Sequence, residues 1–149
     1  MYGLSLFSSL EPPAYTEFFK YQRMSKIAIF ASGSGTNAEK LILSAQARTD
    51  VSLILLFSNR KSAPVLQKAK KLGVQTIVFS RNEFYNSTII LEILENNQID
   101  LIFLAGFLWL VPENLIRRWK GRIVNIHPAL LPKYGGRGMY GEKVHQEVL

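Results

Sequence analysis

From Lys26 to His127 the apolar residues fall into two alternating kinds of block. Ile27-Ala28-Ile29-Phe30 and Leu53-Ile54-Leu55-Leu56-Phe57 are short, nearly continuous apolar runs rich in branched and aromatic side chains. Such runs suit strands buried on both faces of a sheet. Between them lie longer stretches in which apolar residues recur at helical spacing. The pattern predicts extended segments at Lys26–Ala31, Val51–Ser58, Val74–Phe79, Leu101–Ala105 and Arg122–His127. It predicts helices at Asn37–Ala47, Ala63–Leu72, Glu83–Asn97 and Glu113–Trp119. Gly73 and the pair Asn96-Asn97 fall where helices should end, because glycine and asparagine accept the backbone turn that closes a helix.

Strand and helix in strict alternation specify an α/β fold, Rossmann-like, with a mostly parallel sheet and helices on both faces. A length of 149 residues gives one domain with a real core, and no internal repeat interrupts it. Residues 1–23 do not share the pattern and hold Glu11, Pro12 and Pro13 without a sustained apolar centre, which argues against a signal peptide. They read as an extension placed by an early start site, since Met24-Ser25 directly precedes the first strand. The alternative is an arm that uses Phe18, Phe19 and Tyr21 to cover part of the core. The domain proper is then 24–149.

Cysteine is absent, which excludes disulfides and thiolate chemistry and permits a cytoplasmic location. The apolar run Leu101 to Pro112 is shorter than the roughly 18 residues of a membrane span and reads as a buried strand entering a loop. With only His127 and His145 as histidines, a structural zinc site lacks ligands, and no metal is expected. The net charge of +7 is concentrated at Lys68-Ala69-Lys70-Lys71 and Arg117-Arg118-Trp119-Lys120-Gly121-Arg122. These read as solvated helix faces rather than a nucleic-acid surface, with a phosphorylated small substrate accounting for part of the excess.

Two segments carry candidate chemistry. Strand alternation sends Asn125 and His127 to one face at the end of the last strand, where Pro128 stops the ladder. An amide and an imidazole aimed at one point can hold the oxyanion of an acyl carbon turning tetrahedral. They could equally cap a strand end. Directly after the first strand comes Ser32-Gly33-Ser34-Gly35-Thr36-Asn37, opening a helix. Glycines let this backbone approach a ligand, and free N–H groups at a helix start favour a phosphate. It is neither a Walker loop nor a dinucleotide fingerprint. An ordinary strand-to-helix turn capped by Thr36 or Asn37 is the other reading.

Taken in order, the glycine loop, the segment Leu104-Ala105-Gly106-Phe107-Leu108-Trp109-Leu110, the run Asn125-Ile126-His127-Pro128 with Leu130-Leu131-Pro132-Lys133-Tyr134, and the late His145 resemble the phosphoribosylglycinamide formyltransferases, the folate-dependent glycinamide ribonucleotide transformylases of purine biosynthesis. The resemblance covers residues 24–149. It implies formyl transfer from 10-formyltetrahydrofolate, as co-substrate, to the amine of 5′-phosphoribosylglycinamide. By that resemblance Gly35, Thr36 and Asn37 hold the substrate phosphate, Leu108, Trp109, Leu110 and Val111 line the folate pocket, Asn125 and His127 are catalytic, and His145 lies beside the substrate. Trp109 stands where some relatives carry arginine. Gly135-Gly136-Arg137-Gly138-Met139-Tyr140-Gly141 resembles the family's mobile substrate loop.

The resemblance also implies an aspartate well beyond the His-Pro segment that pairs with the histidine. This sequence has only Asp50 and Asp100, and after His127 its carboxylates are Glu142 and Glu147. Without that partner His127 is more readily neutral near pH 7. The reading is therefore of a fold incomplete at the C-terminus, with small-molecule substrates, no nucleic-acid or membrane partner, and little or no turnover. Methionyl-tRNA formyltransferase, formyltetrahydrofolate hydrolase and a non-catalytic phosphate-binding module are the alternatives. If residues 1–23 are dispensable, deleting them leaves the melting temperature nearly unchanged, which thermal unfolding of the two chains checks.

Overall fold

Five of the apolar runs pair side by side in the computed structural model, which describes residues 24–126. In chain order the elements are β1 (Ser25–Phe30), α1 (Thr36–Gln46), β2 (Val51–Ser58), α2 (Pro64–Lys71), β3 (Gln75–Val78), α3 (Arg81–Tyr85), α4 (Ile89–Asn96), β4 (Leu101–Ala105), α5 (Glu113–Arg118) and β5 (Ile123–Ile126). The sheet is parallel throughout, with strand order β3-β2-β1-β4-β5.

The chain thus builds outward from β1 in one direction, then returns across the sheet and builds outward in the other. Parallel crossovers are right-handed, so a reversal of direction moves the connecting helices to the opposite face. The buried side chains show this. Ala38 and Ile42 of α1 and Val65, Leu66 and Ala69 of α2 pack with Ile29, Ala31 and Leu56 on one face. On the other, Phe84, Ile90, Leu94, Leu115 and Trp119 pack with Ala28, Phe30, Leu55, Phe57 and Ile102. Strand residues alternate between the two clusters with the pleat, which is why β1 and β2 are apolar at every central position.

The second face is dominated by aromatic rings. Phe30 and Phe57 stack at 4.7 Å with planes 7° apart, and Phe79 and Phe84 stack at 5.0 Å. Each such pair is worth about 0.5–1.5 kcal/mol beyond the area it buries. At the amino-terminal end of the sheet the Lys26 N–H donates to Asp100 Oδ2 (3.0 Å) and the Asp100 N–H to the Lys26 carbonyl (2.8 Å), pinning β4 to β1. Buried Trp119 donates its indole N–H to the Ile99 carbonyl at 2.9 Å, so its one polar group is satisfied.

The strand boundaries agree with the sequence pattern to within one or two residues at each end. Gly73 takes a φ of +73° after α2 and Asn97 caps α4, as the punctuation predicts. The expected single helix over Glu83–Asn97 is instead two, α3 and α4, broken at Asn86-Ser87-Thr88. Three consecutive small polar side chains compete for the backbone there. The Ser87 hydroxyl donates to the Glu83 carbonyl (2.9 Å), and the Thr88 hydroxyl bonds Glu92 Oε1 at 2.5 Å, closing one helix and opening the next. The helix also begins earlier than its apolar periodicity, at Arg81. Ser80 and Glu83 form a reciprocal capping box: Glu83 N–H donates to Ser80 Oγ (3.2 Å) and Ser80 N–H to Glu83 Oε2 (2.7 Å).

The basic clusters are largely engaged. Lys68 pairs with Glu39 at 2.6 Å, joining α2 to α1; Arg117 pairs with Glu113, and Arg118 with Glu95. All these pairs are substantially exposed, so each contributes about 0–1 kcal/mol. No helix among the described residues is long and apolar enough to cross a membrane.

The Ser80 N–H holds the Glu83 carboxyl below the usual 4.5 of a glutamate. A carboxylate with a depressed folded-state pKa contributes stability that is present above its unfolded value and lost as pH falls through the folded one. Wild type and Glu83→Gln should therefore differ in melting temperature at pH 7, and the difference should shrink as pH falls below about 4.5, measured by circular dichroism.

Candidate active site

Three chemistry-bearing segments lie at the carboxyl ends of neighbouring strands: Ser32–Asn37 after β1, Gly106–Val111 after β4, and Asn125, the penultimate residue of β5. In-register pairing aligns Phe57, Phe30, Leu104 and Asn125 in one row across four strands. The strand order reverses between β1 and β4, and it is outside such a reversal that open parallel sheets have a crevice for ligands. Because residues in register share a face, Asn125 stands on the aromatic side of the sheet with Leu104 and Ile123. It is exposed.

The glycine loop is shaped by close packing. Gly35 is the N-cap of α1 with φ +75°, in the left-handed region that glycine adopts without strain. A Cβ added there would overlap the side chain of Val65, whereas one added at Gly33 meets nothing within 4 Å. The Val65 N–H donates to the Gly33 carbonyl at 3.3 Å, so the first turn of α2 buttresses the loop from behind. Neither Thr36 nor Asn37 is the cap, contrary to one sequence expectation. No side chain caps α1, and the N–H groups of its first turn are left for another acceptor. Thr36 is exposed and Asn37 half-buried. Glu39 in the same turn is neutralised by Lys68.

Residues 106–111 leave β4 through Gly106, which has φ +70°. Their side chains alternate. Leu108 and Leu110 are 58% and 85% exposed, an unusual outlay of apolar surface for a short loop. Phe107, Trp109 and Val111 turn inward onto the aromatic cluster. The Trp109 ring lies about 6 Å from Phe79, Phe84 and Tyr85, and the Arg81 guanidinium sits over both Tyr85 (5.1 Å) and Trp109 (5.7 Å). Of the stretch expected to line a pocket, Trp109 and Val111 pack against the aromatic cluster and Leu108 and Leu110 face outward.

Two bonds fix this loop. The Leu108 N–H donates to Ser32 Oγ at 3.0 Å and the Tyr85 hydroxyl to the Leu110 carbonyl at 2.9 Å. A third joins its start to the glycine loop, from the Ser32 N–H to the Gly106 carbonyl at 3.2 Å. Neither Ser32 nor Tyr85 was singled out by its sequence context. For Ser32 the signal is a hydroxyl directly following the apolar run Ile27-Ala28-Ile29-Phe30-Ala31, where burial obliges it to find a partner. Asn59, just past β2, has a buried Oδ1 with no partner among the described residues.

His127 and His145 lie outside the described residues. So do the Gly135–Gly141 loop and residues 1–23. Among the described residues no group of three His, Cys, Asp or Glu side chains could hold a metal. Two surface clefts occur elsewhere. One, of about 550 Å³, is lined by Leu91, Glu113, Asn114, Arg117 and Arg118; the other lies at the amino-terminal end of the sheet around Asp100 and Arg122. Neither includes a residue of the two loops, and a parallel sheet has no ligand edge there, so the strand ends are the better guide.

The sequence model of the family described as "Formyl transferase" matches residues 25–149. The chain is 35% identical over 133 residues to the chloroplastic phosphoribosylglycinamide formyltransferase of Arabidopsis thaliana, covering 85% of this chain and 46% of that one. It is 32% identical over 124 residues to phosphoribosylglycinamide formyltransferase of Bacillus subtilis, covering 80% and 64%. The crystal structure of glycinamide ribonucleotide transformylase 1 from Geobacillus kaustophilus superposes with a TM-score of 0.70 at 37% identity, over 78% of this chain and 65% of that one. The chain thus spans less than half of the plant relative and somewhat under two thirds of the bacterial ones.

Gly35→Ala should cost about 3 kcal/mol, combining left-handed strain with overlap on Val65. Gly33→Ala, with open space around it, should stay within about 0.5 kcal/mol of wild type. Urea unfolding of the two variants tests the contrast.

Proposed function

The chain belongs to the formyl transferase family, and we propose that its reaction is that of the phosphoribosylglycinamide formyltransferases: transfer of a formyl group from 10-formyltetrahydrofolate to the primary amine of 5′-phosphoribosylglycinamide. The observation that carries this is the juxtaposition, at the carboxyl ends of β1, β4 and β5, of an uncapped helix start, an apolar loop and an amide. Each suits one part of the reaction.

The N–H groups of Gly35, Thr36 and Asn37, at the positive end of α1, suit a phosphate dianion. The exposed Leu108 and Leu110, backed by Trp109 and Val111, offer apolar surface to a flat heteroaromatic co-substrate. Attack by the amine nitrogen on the formyl carbon forms a C–N bond and places negative charge on the formyl oxygen. The Asn125 amide, with the His127 imidazole two residues on, would stabilise that charge. Collapse breaks the bond to the folate nitrogen, and the proton lost by the amine passes to that nitrogen. His145 would stand beside the substrate.

A cytoplasmic setting belongs to the same proposal; it is compatible with a chain free of cysteine.

Calorimetric titration tests the reading through binding rather than turnover. Both 5-formyltetrahydrofolate and 5′-phosphoribosylglycinamide should bind saturably, one equivalent each. Phosphate-ester binding without folate binding would leave a plain phosphate module in its place. Folate binding with displacement by initiator tRNA, but not by the ribotide, would point to the tRNA formyltransferases.

A further inference from the structure

We propose that Ser32 is the positioning residue that sets loop 106–111 against the phosphate cradle, so that the two ligands meet at a fixed offset. The ligands' identities rest on the reading above; the clamp itself does not.

Ser32 is 1% exposed and makes contacts in two directions. Its backbone N–H donates to the Gly106 carbonyl, the first loop residue after β4, and its hydroxyl oxygen accepts from the N–H of Leu108. Those two bonds continue the β1–β4 ladder past its end at Phe30 and Leu104, but with a side chain substituting for the second backbone partner. Beyond Ala105 the chain turns through Gly106 and has no strand to pair with, so the Leu108 N–H depends on the hydroxyl.

The side chains next to that bond cannot replace it, since Leu108 and Leu110 face solvent. Tyr85 anchors only the far end, at Leu110. On its other side Ser32 is joined to Gly33, whose carbonyl is held by Val65, and two residues later to Gly35, which Val65 also confines. Phosphate cradle and apolar loop therefore share one rigid segment. Serine fits the role because its short side chain brings an acceptor oxygen within 3.0 Å of the Leu108 N–H while staying buried. Alanine would leave the Leu108 N–H unpaired and free the middle of the loop while the cradle keeps its own supports.

The test compares wild type, Ser32→Ala and Ser32→Cys, which keeps a weak acceptor and guards against a folding defect in the alanine variant. Amide exchange followed by NMR should show Leu108 exchanging at least about tenfold faster in Ser32→Ala, with Leu55 and Leu56 in β2 unchanged, the scale expected when one hydrogen bond is lost locally. Ser32→Cys should be intermediate. The Kd for 5-formyltetrahydrofolate should rise about fivefold, and that for inorganic phosphate, read from the Thr36 and Asn37 amide shifts, should stay within about twofold. Unchanged exchange at Leu108 overturns the proposal. So does a parallel fall in both affinities, which would make Ser32 a general structural residue. If wild type binds no folate probe, the functional reading fails, and the clamp stands or falls on the exchange data alone.

Discussion

The reversal of strand order at β1 is the constraint from which the rest follows. Because β1 pairs with β2 on one side and β4 on the other, the loops after β1 and β4 emerge next to each other although more than seventy residues separate them in sequence. Right-handed crossovers then oblige the helices to change faces at the same point, which is where open parallel sheets take their ligands. The register of β5 adds Asn125 to the row that already holds Phe30 and Leu104.

What stiffens this arrangement is different on the two faces. Under the glycine loop the packing is close and aliphatic, with Val65 set directly behind Gly35, so the cradle tolerates no side chain there. Under the apolar loop the packing is aromatic, with Phe79 and Phe84 stacked and Phe107 and Trp109 meeting them at steeper angles. The capping box at Ser80 and Glu83 sets the short α3 that carries both Phe84 and Tyr85, so a surface hydrogen-bond motif fixes one wall of the candidate site. Trp109 belongs to that wall, and the nearby cation is Arg81, held over its ring.

The charge excess has a modest part in this. Most cations of the two basic clusters have carboxylate or carbonyl partners on adjacent turns or helices, and they lie away from the loops. Lys68 is the exception in consequence: by pairing Glu39 it removes a negative charge from the helix start where an anion is proposed to sit.

Strand and helix order, a parallel sheet covered on both sides, the glycine turn at the start of α1 and the ends of α2 and α4 were all legible in the sequence, because each depends on local periodicity or on the φ preferences of Gly and Asn. The resemblance, carried by four motifs in order, pointed to the family without coordinates. The break at Asn86-Ser87-Thr88 was not legible: apolar spacing continues across it, and only competition among side chain and backbone hydrogen bonds interrupts the helix. Nor could the sequence assign the cap of α1 to Gly35 rather than Thr36, or show that Val65, thirty residues away, leaves no space for a side chain there. The same holds for Ser32 and Tyr85, whose partners are backbone atoms of a loop distant in sequence. Local pattern fixes which elements form; which polar atoms meet depends on strand order and register, and those are settled only when the whole sheet closes its packing.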